Sequence, residues 1–312
     1  MGRYGFVLHR PLQLIPVLIG ISLISFFLLH AVPGDPIRTL LGERTSPEVV
    51  ASLRARYGLD QPLLVQYFYY VRNLLGGDLG ESIVYKVPIS DLLARRTQAT
   101  GFLLVYSTVL SILVTLPLAV VAALYRGRLP DQIIRGFSTF GLGFPTFWLG
   151  LMLIIVFSVG FGWFPVGGYG NSFIEHLHHL FLPSLTIALA LSAILIRTMR
   201  ASLLQTLGAD FVMAARAKGL SPRWIFNRHV LRNSLIPAIN LLGVNIGWMI
   251  GGTVVVETVF SIPGLGQLMV KSIFSRDYQV VQSLTLVFAC ATVFVSFVVD
   301  VITVALDPRI SQ

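Results

Sequence analysis

Few residues in this 312-residue chain could carry chemistry, because charged residues make up only 12% of it. His176, His178 and His179 form its densest group of possible metal ligands. Their spacing does not place all three on one helix face, which favours chance or interfacial placement over a metal site. Glu257 and Asp300 lie near the ends of apolar runs, and this position is evidence against a proton or ion relay inside the membrane. No P-loop, HExxH motif or nucleophile elbow occurs, which disfavours an enzyme.

The stretch 209–237, ADFVMAARAKGLSPRWIFNRHVLRNSLIP, lies between two long apolar runs and contains five basic residues. Its pattern predicts a first helix over 210–218 that ends at Gly219. Ser221 then caps a second helix, in which Pro222 takes the first position. We call residues 209–237 the hinge.

The first hinge helix is rich in alanine, and small residues let a helix lie deep in a groove of another protein. The basic neighbours could pair with acids on such a partner or with anionic lipid head groups. A lipid surface explains the charge but gives no reason for Ala214, Ala215 and Gly219. The hinge is therefore predicted to bind another protein.

The elements that carry the hinge are membrane segments, because 55% of the chain is hydrophobic and its mean hydropathy is +0.79. Much of the net charge of +9 lies in short loops between apolar runs, which favours a membrane face over nucleic-acid binding. The one cysteine, Cys290, cannot form a disulfide framework. Runs that reach the roughly 20 residues needed to cross a bilayer are 12–32, 102–125, 137–161, 181–200, 235–260 and 283–306.

Basic residues predict the orientation of these runs. With the N-terminus in the cytoplasm, the inner segments hold thirteen basic and four acidic residues, whereas the short outer loops hold only Lys271 and Arg276. The long outer loop is translocated largely regardless of its charge. The first run exceeds the core of a signal peptide, and no cleavage pattern follows it. We therefore expect an all-α integral membrane protein with six transmembrane helices and both termini in the cytoplasm.

The expected organisation follows from these spans. In the outer loop, SPEVVASLRARYG and QPLLVQYFYYVRNLLGG predict two helices. This loop could be a lid on the spans or a docking surface for an outside partner, and the sequence leaves both open. The expected parts are a tail with the first transmembrane helix (1–32), the outer helical loop (33–99), the transmembrane core of helices two to six (100–306) with its cytoplasmic loop (201–234), and a cytoplasmic tail (307–312).

The fifth run carries Gly243, Gly247 and Gly251 at i, i+4 and i+8, which places three small residues on one helix face. Such a face allows close packing within the subunit, packing against a partner, or a position along a transport path. Asn240 and Asn245 lie in the same run, but two amides alone do not define a substrate site.

The hinge segments AARAKGL and HVLRNSLIP resemble the cytoplasmic EAA loop of permease subunits of binding-protein-dependent ABC importers. The 18 positions from Gly219 to Pro237 are similar to the longer interval in dipeptide, oligopeptide and nickel permeases. PGDP soon after the first run resembles the B-type subunit of the usual permease pair. Other ordered matches, over nearly the whole chain, are GLDQPL, GDLG, PTFWLG, ETVFSIPGLG, RDYQVVQ and LDPRI.

The resemblance implies the type I ABC importer permease fold, a place in the bacterial inner membrane and a complex of five parts. Its other members would be a second, C-type permease, two P-loop ATPases on the cytoplasmic face and an extracytoplasmic substrate-binding protein. ATP and Mg²⁺ would be used by the ATPases, so this chain would be no enzyme and would bind no cofactor or metal. Peptides are the expected substrate, with nickel chelates, glutathione and opines as alternatives.

The resemblance also implies roles for individual residues. At Met213 the family pattern usually has glutamate, so a charged contact with the ATPase is not expected there. The implied ATPase-coupling residues are Met213, Ala214, Ala215, Arg216, Lys218, Gly219, Leu220 and Pro237. The implied receptor or gate contacts are Pro33, Gly34, Asp35, Pro263, Gly264, Asp277 and Tyr278.

A self-sufficient secondary transporter or channel is the rival from another class. It predicts charges inside the membrane, paired broken helices or an inverted repeat, and the sequence shows none of these convincingly. A scaffold that only recruits a cytoplasmic partner would use the hinge but would not need six spans.

Overall fold

The computed structural model describes residues 15–27, 46–56 and 60–306. Within these residues the chain is helical, and the one pairing of extended backbone is an isolated bridge between Glu81 and Pro88. The helices are α1 Ile15–Phe27, α2 Pro47–Arg56, α3 Leu63–Leu75, α4 Ile89–Leu124, α5 Leu129–Gly141, α6 Thr146–Gly160, α7 Phe173–Leu207, α8 Asp210–Ala217, α9 Pro222–Val259, α10 Leu265–Phe274 and α11 Tyr278–Leu306.

The helices α4, α7, α9 and α11 are each long and apolar enough to cross a membrane, and α5 with α6 forms a bent fifth span. These five lie where the last five spans were predicted, and the all-α membrane fold is confirmed. The described part of the first predicted span, α1, is shorter than the roughly 20 residues that a span needs. The predicted count of six is therefore not reached within the described residues.

The predicted third span, 137–161, is not one straight helix. Helices α5 and α6 meet at a bend of 109° across residues 142–145. Pro145 has extended backbone, with φ −60° and ψ 138°, and directly precedes α6. Proline lacks an N–H and disfavours helix at the residue before it, so the chain turns here. The prediction of one uninterrupted span is wrong at this point.

Several helices run beyond the apolar stretches that predicted them. Helix α4 begins at Ile89, where the sequence predicted a span from 102, and α9 begins at Pro222 instead of 235. An apolar run marks only the part of a helix that lies in hydrocarbon, whereas backbone hydrogen bonds continue into the polar interface. Helix α9 is therefore one element of 38 residues, with a π-helical segment at Phe226–Leu231.

The core of the bundle is the pair α4 and α7, which form the most extensive helix contact, with α9 beside α7. Buried apolar side chains form three clusters along this bundle. Representative members are Leu103, Leu191 and Phe260 in the central cluster, Ala122, Met199 and Val212 in the hinge-end cluster, and Ile89, Leu268 and Leu284 in the loop-end cluster.

The helical bundle has two ends, which carry different connecting segments. The hinge end carries residues 201–231, where α7 ends and α9 begins. The loop end carries 78–88, 161–172 and 260–278, which meet near the start of α7 and the end of α9.

The two helices predicted in the outer loop are confirmed as α2 and α3. Helix α3 packs on α1, because the Tyr67 and Ser22 hydroxyls lie 2.9 Å apart and the Phe26 and Tyr67 rings are 5.4 Å apart. The opposite face of α3 exposes Leu64 and Phe68. One face of this segment therefore covers a neighbouring helix, as a lid would, and the side with Leu64 and Phe68 is exposed among the described residues.

Candidate functional site

The hinge forms two helices around a tight turn, as the sequence predicts. Helix α8 is followed by Gly219, whose φ of +76° lies in the left-handed region that favours glycine. The Gly219 N–H donates to Arg216 O at 2.9 Å. The Ser221 hydroxyl then accepts from Trp224 N at 3.4 Å and caps α9. The turn holds α8 beside the start of α9.

The two sides of α8 have different surroundings. Val212 and Ala215 are buried in the hinge-end cluster, against Ile225 and Val230 of α9. The methyl group of Ala215 therefore packs inside the subunit in this structure, and the coupling role of this residue stays a prediction. The predicted hinge residues that lie exposed are Met213, Ala214, Arg216, Lys218, Gly219 and Leu220.

An aromatic group borders the exposed side of α8. The Trp224 and His229 rings are 5.0 Å apart, and Phe211 approaches His229 at 6.3 Å. Phe211, Trp224 and Met213 all leave large apolar side chains in the open, and Met213 is 54% exposed. An exposed apolar patch beside basic residues is suited to binding a protein partner. We call this patch, with the exposed residues of α8, the hinge surface.

Pro237, also predicted for coupling, lies inside α9 about four turns beyond its first residue. It is therefore a helix-interior residue and not part of the turn after α8.

A buried ion pair ties the start of α5 to α7 near the hinge. Arg200 Nε and Nη2 donate to Asp131 Oδ1 and Oδ2 at 2.6 and 2.7 Å, and Gly127 N donates to Asp131 Oδ2 at 2.8 Å. The Asp131 side chain is 0% exposed. Because a buried carboxylate needs such partners, this bidentate contact fixes α5 to the last turns of α7.

At the loop end, a buried carboxylate caps a helix from another element. Glu257, near the end of α9, accepts from Thr100 Oγ1 at 2.6 Å and from Gln267 N at 2.9 Å. Leu265 N donates to the same threonine hydroxyl at 2.8 Å. The amides of Leu265 and Gln267 belong to the first turn of α10, whose positive dipole end favours a carboxylate. Helices α4, α9 and α10 are joined at this point.

Two of the predicted receptor or gate residues, Gly264 and Asp277, are buried inside the subunit. Gly264 is buried, and a Cβ there would collide with the Glu257 carboxylate. Asp277 is fully buried and accepts from Ser82 Oγ at 2.5 Å and from Val84 N at 3.3 Å. Both residues therefore lie within the subunit in this structure, and their receptor or gate role stays a prediction.

The other predicted gate residues divide into two groups. Pro263 is exposed, and Tyr278 is half-buried at the start of α11. Pro33, Gly34 and Asp35 lie outside the described residues.

The three histidines each hold one carbonyl of the loop 161–172. His176 Nδ1 lies 2.8 Å from Tyr169 O, His178 Nε2 lies 2.9 Å from Trp163 O, and His179 Nδ1 lies 2.9 Å from Gly167 O. Within the described residues no group of three or more possible ligands is arranged to hold a metal. Their position favours fixing this loop to the first turns of α7.

The glycine face predicted in α9 has two kinds of surroundings. At Gly243 a Cβ would overlap Val299 of α11, and at Gly247 it would lie 3.2 Å from Thr292 Cγ2. At Gly251 nothing lies within 4 Å. The first two glycines therefore pack within the subunit, and the third faces open space.

Each of the two predicted amides of α9 makes one hydrogen bond within the subunit. Asn240 Oδ1 accepts from the Thr303 hydroxyl of α11, and Asn245 Nδ2 donates to Leu241 O at 2.7 Å.

Comparison with known proteins identifies the family. The family described as "Binding-protein-dependent transport system inner membrane component" matches residues 115–312, and its N-terminal companion matches 3–88. The chain belongs to this permease family. The resemblance to ABC importer permeases of the peptide and nickel type is thereby confirmed.

Its similar relatives include the glutathione transport system permease protein GsiC. This protein from Escherichia coli strain K12 is 39% identical over 306 residues, which cover 98% of both chains. The protein of the same name from Salmonella typhi is 38% identical over the same share.

Solved structures support the permease fold. The MetNI methionine ABC transporter in an inward-facing conformation matches with a TM-score of 0.58 and 18% identity, over 69% of this chain and 96% of that one. An amino acid ABC transporter matches with a TM-score of 0.54 and 15% identity, over 69% and 94% of the two chains. At this level of identity the likeness concerns the fold alone.

Sequence reasoning about this permease missed its buried polar partners. No local pattern singles out Asp131, Thr100 or Ser82, because their side-chain hydrogen-bond partners lie far away along the chain. Gly264 and Gly266, which follow Glu257 by seven and nine positions, are the one sequence feature that indicates a contact at Glu257. Small residues close together often mark a place where another group approaches the backbone.

Proposed function

We propose that this permease is the transmembrane subunit of an ATP-driven importer, and that the hinge surface transmits the movement of partner ATPases to the spans. The observation that carries the proposal is the exposed outer side of α8 beside Phe211 and Trp224, on a helix anchored from inside by Val212 and Ala215. A short helix fixed to its own subunit and open on its other side can transmit a push as a rigid element. The family supports the role of a permease that depends on a binding protein.

The partners of the proposal are those that the family resemblance implies: a C-type permease, two P-loop ATPases and an extracytoplasmic binding protein. The ATPases would use ATP and Mg²⁺, and this chain would bind neither. The basic residues of the hinge support a cytoplasmic position for the hinge end. The loop end would then face the binding protein.

For the substrate we propose glutathione. The support is the 39% identity to glutathione permeases over 98% of both chains, since the resemblance extends along the whole transport subunit. The sequence favoured peptides and kept glutathione as an alternative. The two are close in chemistry, because glutathione is itself a tripeptide with free carboxylates.

The coupling role is tested by placing bulk on the hinge surface without backbone strain. Ala214→Trp adds a large side chain at an exposed helical position. It should lower co-purification of the ATPases at least about tenfold, which corresponds to about 1.4 kcal/mol of binding. Gly219→Trp should abolish transport, but this substitution also forces a side chain onto a residue with left-handed backbone, so it is the less specific test.

The matched control is Gln205→Trp, which adds the same side chain at an exposed position of α7 outside the hinge surface. Normal ATPase recovery and uptake by Ala214→Trp would refute the coupling role. Uptake of radiolabelled glutathione into proteoliposomes that contain the whole importer tests the substrate. Uptake of dipeptides without uptake of glutathione would refute glutathione as the substrate and support peptides.

A further inference from the structure

Helix α5 presents three different faces. Asp131, Ile134 and Ser138 are buried against the subunit. A second face is apolar and exposed, and the third carries polar residues and a glycine at helical spacing. The second face comprises Leu129, Ile133, Phe137 and Phe140, and the third comprises Gln132, Arg135, Gly136 and Thr139, with Gly143 following in the bend.

The polar face lines an open groove of about 570 Å³, which continues to Phe140 and Phe144 at the bend. No side chain fills the floor, because Gly136 has nothing within 4 Å of its Cβ position. Phe144 stacks on Trp148 at a ring distance of 4.4 Å and closes the groove at its α6 end. The groove lining is mostly apolar, with the polar side chains of Gln132, Arg135 and Thr139 along α5 and aromatic rings at the bend.

Gln132 and Arg135 precede the apolar run 137–161, so they lie at the edge of the predicted span. Polar residues on membrane helices nearly always face a protein interior or a water-filled cavity. The apolar face of the same helix, which includes Ile133 and Phe137, is suited to contact with lipid or with a second subunit. A broken membrane helix with polar residues beside its bend is also where transporters commonly contact substrate.

Arg135 supplies the positive charge of the groove. Asp131, one turn earlier, is already held by both nitrogens of Arg200 and by Gly127 N. Within the described residues Arg135 makes no direct ion-pair contact, although its charge also attracts the Asp131 carboxylate, and its side chain is exposed. A guanidinium in this position can bind a carboxylate with two parallel hydrogen bonds.

We propose that this groove forms part of the transport path and that Arg135 binds a carboxylate of the passing substrate, with Thr139 as an added hydrogen-bonding group. The site selects carboxylate-bearing, peptide-like substrates over cationic ones. The aromatic pair Phe144 and Trp148 borders the apolar part of the substrate. This assignment rests on the proposed importer function.

The role of the Arg135 charge can be tested by measuring uptake by the complete importer in proteoliposomes. Arg135→Gln should lower the uptake of radiolabelled glutathione about tenfold at saturating binding protein, while ATPase activity stimulated by the binding protein stays within about twofold. Arg135→Lys should recover part of the uptake. The control Arg128→Gln removes an exposed charge from the residue before α5 and should leave uptake unchanged. Native uptake by Arg135→Gln, or equal loss in both glutamine variants, would overturn the proposal.

Thiol labelling tests the groove independently of any substrate. In a Cys290→Ser background, Thr139→Cys should react with a membrane-impermeant thiol reagent in the assembled importer, and Ile133→Cys on the apolar face should not. An unreactive Thr139→Cys would overturn the position along a water-filled path. A reactive Thr139→Cys in an importer that transports no glutathione would keep the path and reject the proposed substrate.

Discussion

At the scale of single residues, Gly264 shows how a missing side chain makes room for a charge. The Glu257 carboxylate occupies the space where a Cβ of Gly264 would lie. Gly266 is similarly close, because its Cβ would lie 2.5 Å from Val254 Cα. The glycines of the PGLG turn therefore allow α10 to approach α9 until its amides reach the carboxylate.

Gly264→Ala should displace Glu257 from the first turn of α10. Loss of a hydrogen bond to a charged group, with the carboxylate left buried, should lower the free energy of unfolding by about 2 kcal/mol. Thermal unfolding of the purified permease in detergent measures this loss. Gly252→Ala is the matched control, since nothing lies within 4 Å of its Cβ position and alanine favours helix. Equal unfolding temperatures for the two variants would contradict this packing.

Asp131→Asn should destabilise the permease through the charge that remains. Arg200 would keep its guanidinium with a side chain only 17% exposed, and removing one partner of a buried pair costs about 3 kcal/mol. The double variant Asp131→Asn with Arg200→Met should recover part of this loss, because it leaves no unpaired charge. The same detergent unfolding experiment applies, with the exposed Asp210→Asn as control. Purely additive losses in the double variant would disprove the coupling of the pair.

The sequence predicts residue roles unevenly for a physical reason. The hinge pattern is local, so the turn at Gly219 and the cap at Ser221 could be predicted from neighbouring residues. Glu257 and Thr100 are 157 positions apart, and their contact depends on how three helices cross. Ala215 illustrates a finer limit, because helical spacing alone does not tell which side of a short helix faces its own subunit.

At the scale of elements, hydropathy located the spans but not their shape. An apolar run of 20 residues has the same hydropathy whether it is straight or bent. The bend between α5 and α6 arises from Pro145 within the run, and its angle depends on packing against α7. The groove of α5 follows from this bend, so the sequence alone could not show it.

The loop 161–172 should depend on the histidines for its order. His179→Ala removes the contact with Gly167 O, and loss of one hydrogen bond of about 1 kcal/mol should speed amide exchange in the loop roughly fivefold. Hydrogen exchange with mass spectrometry can measure this in the purified permease. His178→Ala should have a smaller effect, because its contact with Trp163 O is exposed to water. Unchanged exchange in both variants would show that the loop is held by other contacts.

At the scale of the whole molecule, one helix joins the two ends. Helix α9 begins beside α8 at the hinge end and carries Glu257 at the loop end, about 52 Å away along a continuous helix. Through Glu257 it is fastened to α4 and α10, and through Ile225 and Val230 to α8. A displacement of the hinge surface can therefore reach the loop end through one continuous helix and the contacts at its two ends. Coupling between the ATPases and the loop end would require such a connection.

One side of the same helix packs within the subunit, and the other side is exposed. Val244, Trp248 and Val255 are exposed on the side of α9 that carries Gly251, and Trp248 is 81% exposed. Gly251→Leu should leave unfolding of the isolated permease unchanged but lower co-purification of the C-type permease about tenfold, because small residues allow close helix approach. Gly243→Leu should instead destabilise the isolated chain, since it would overlap Val299. Full recovery of the second permease with Gly251→Leu would show that this face of α9 contacts lipid.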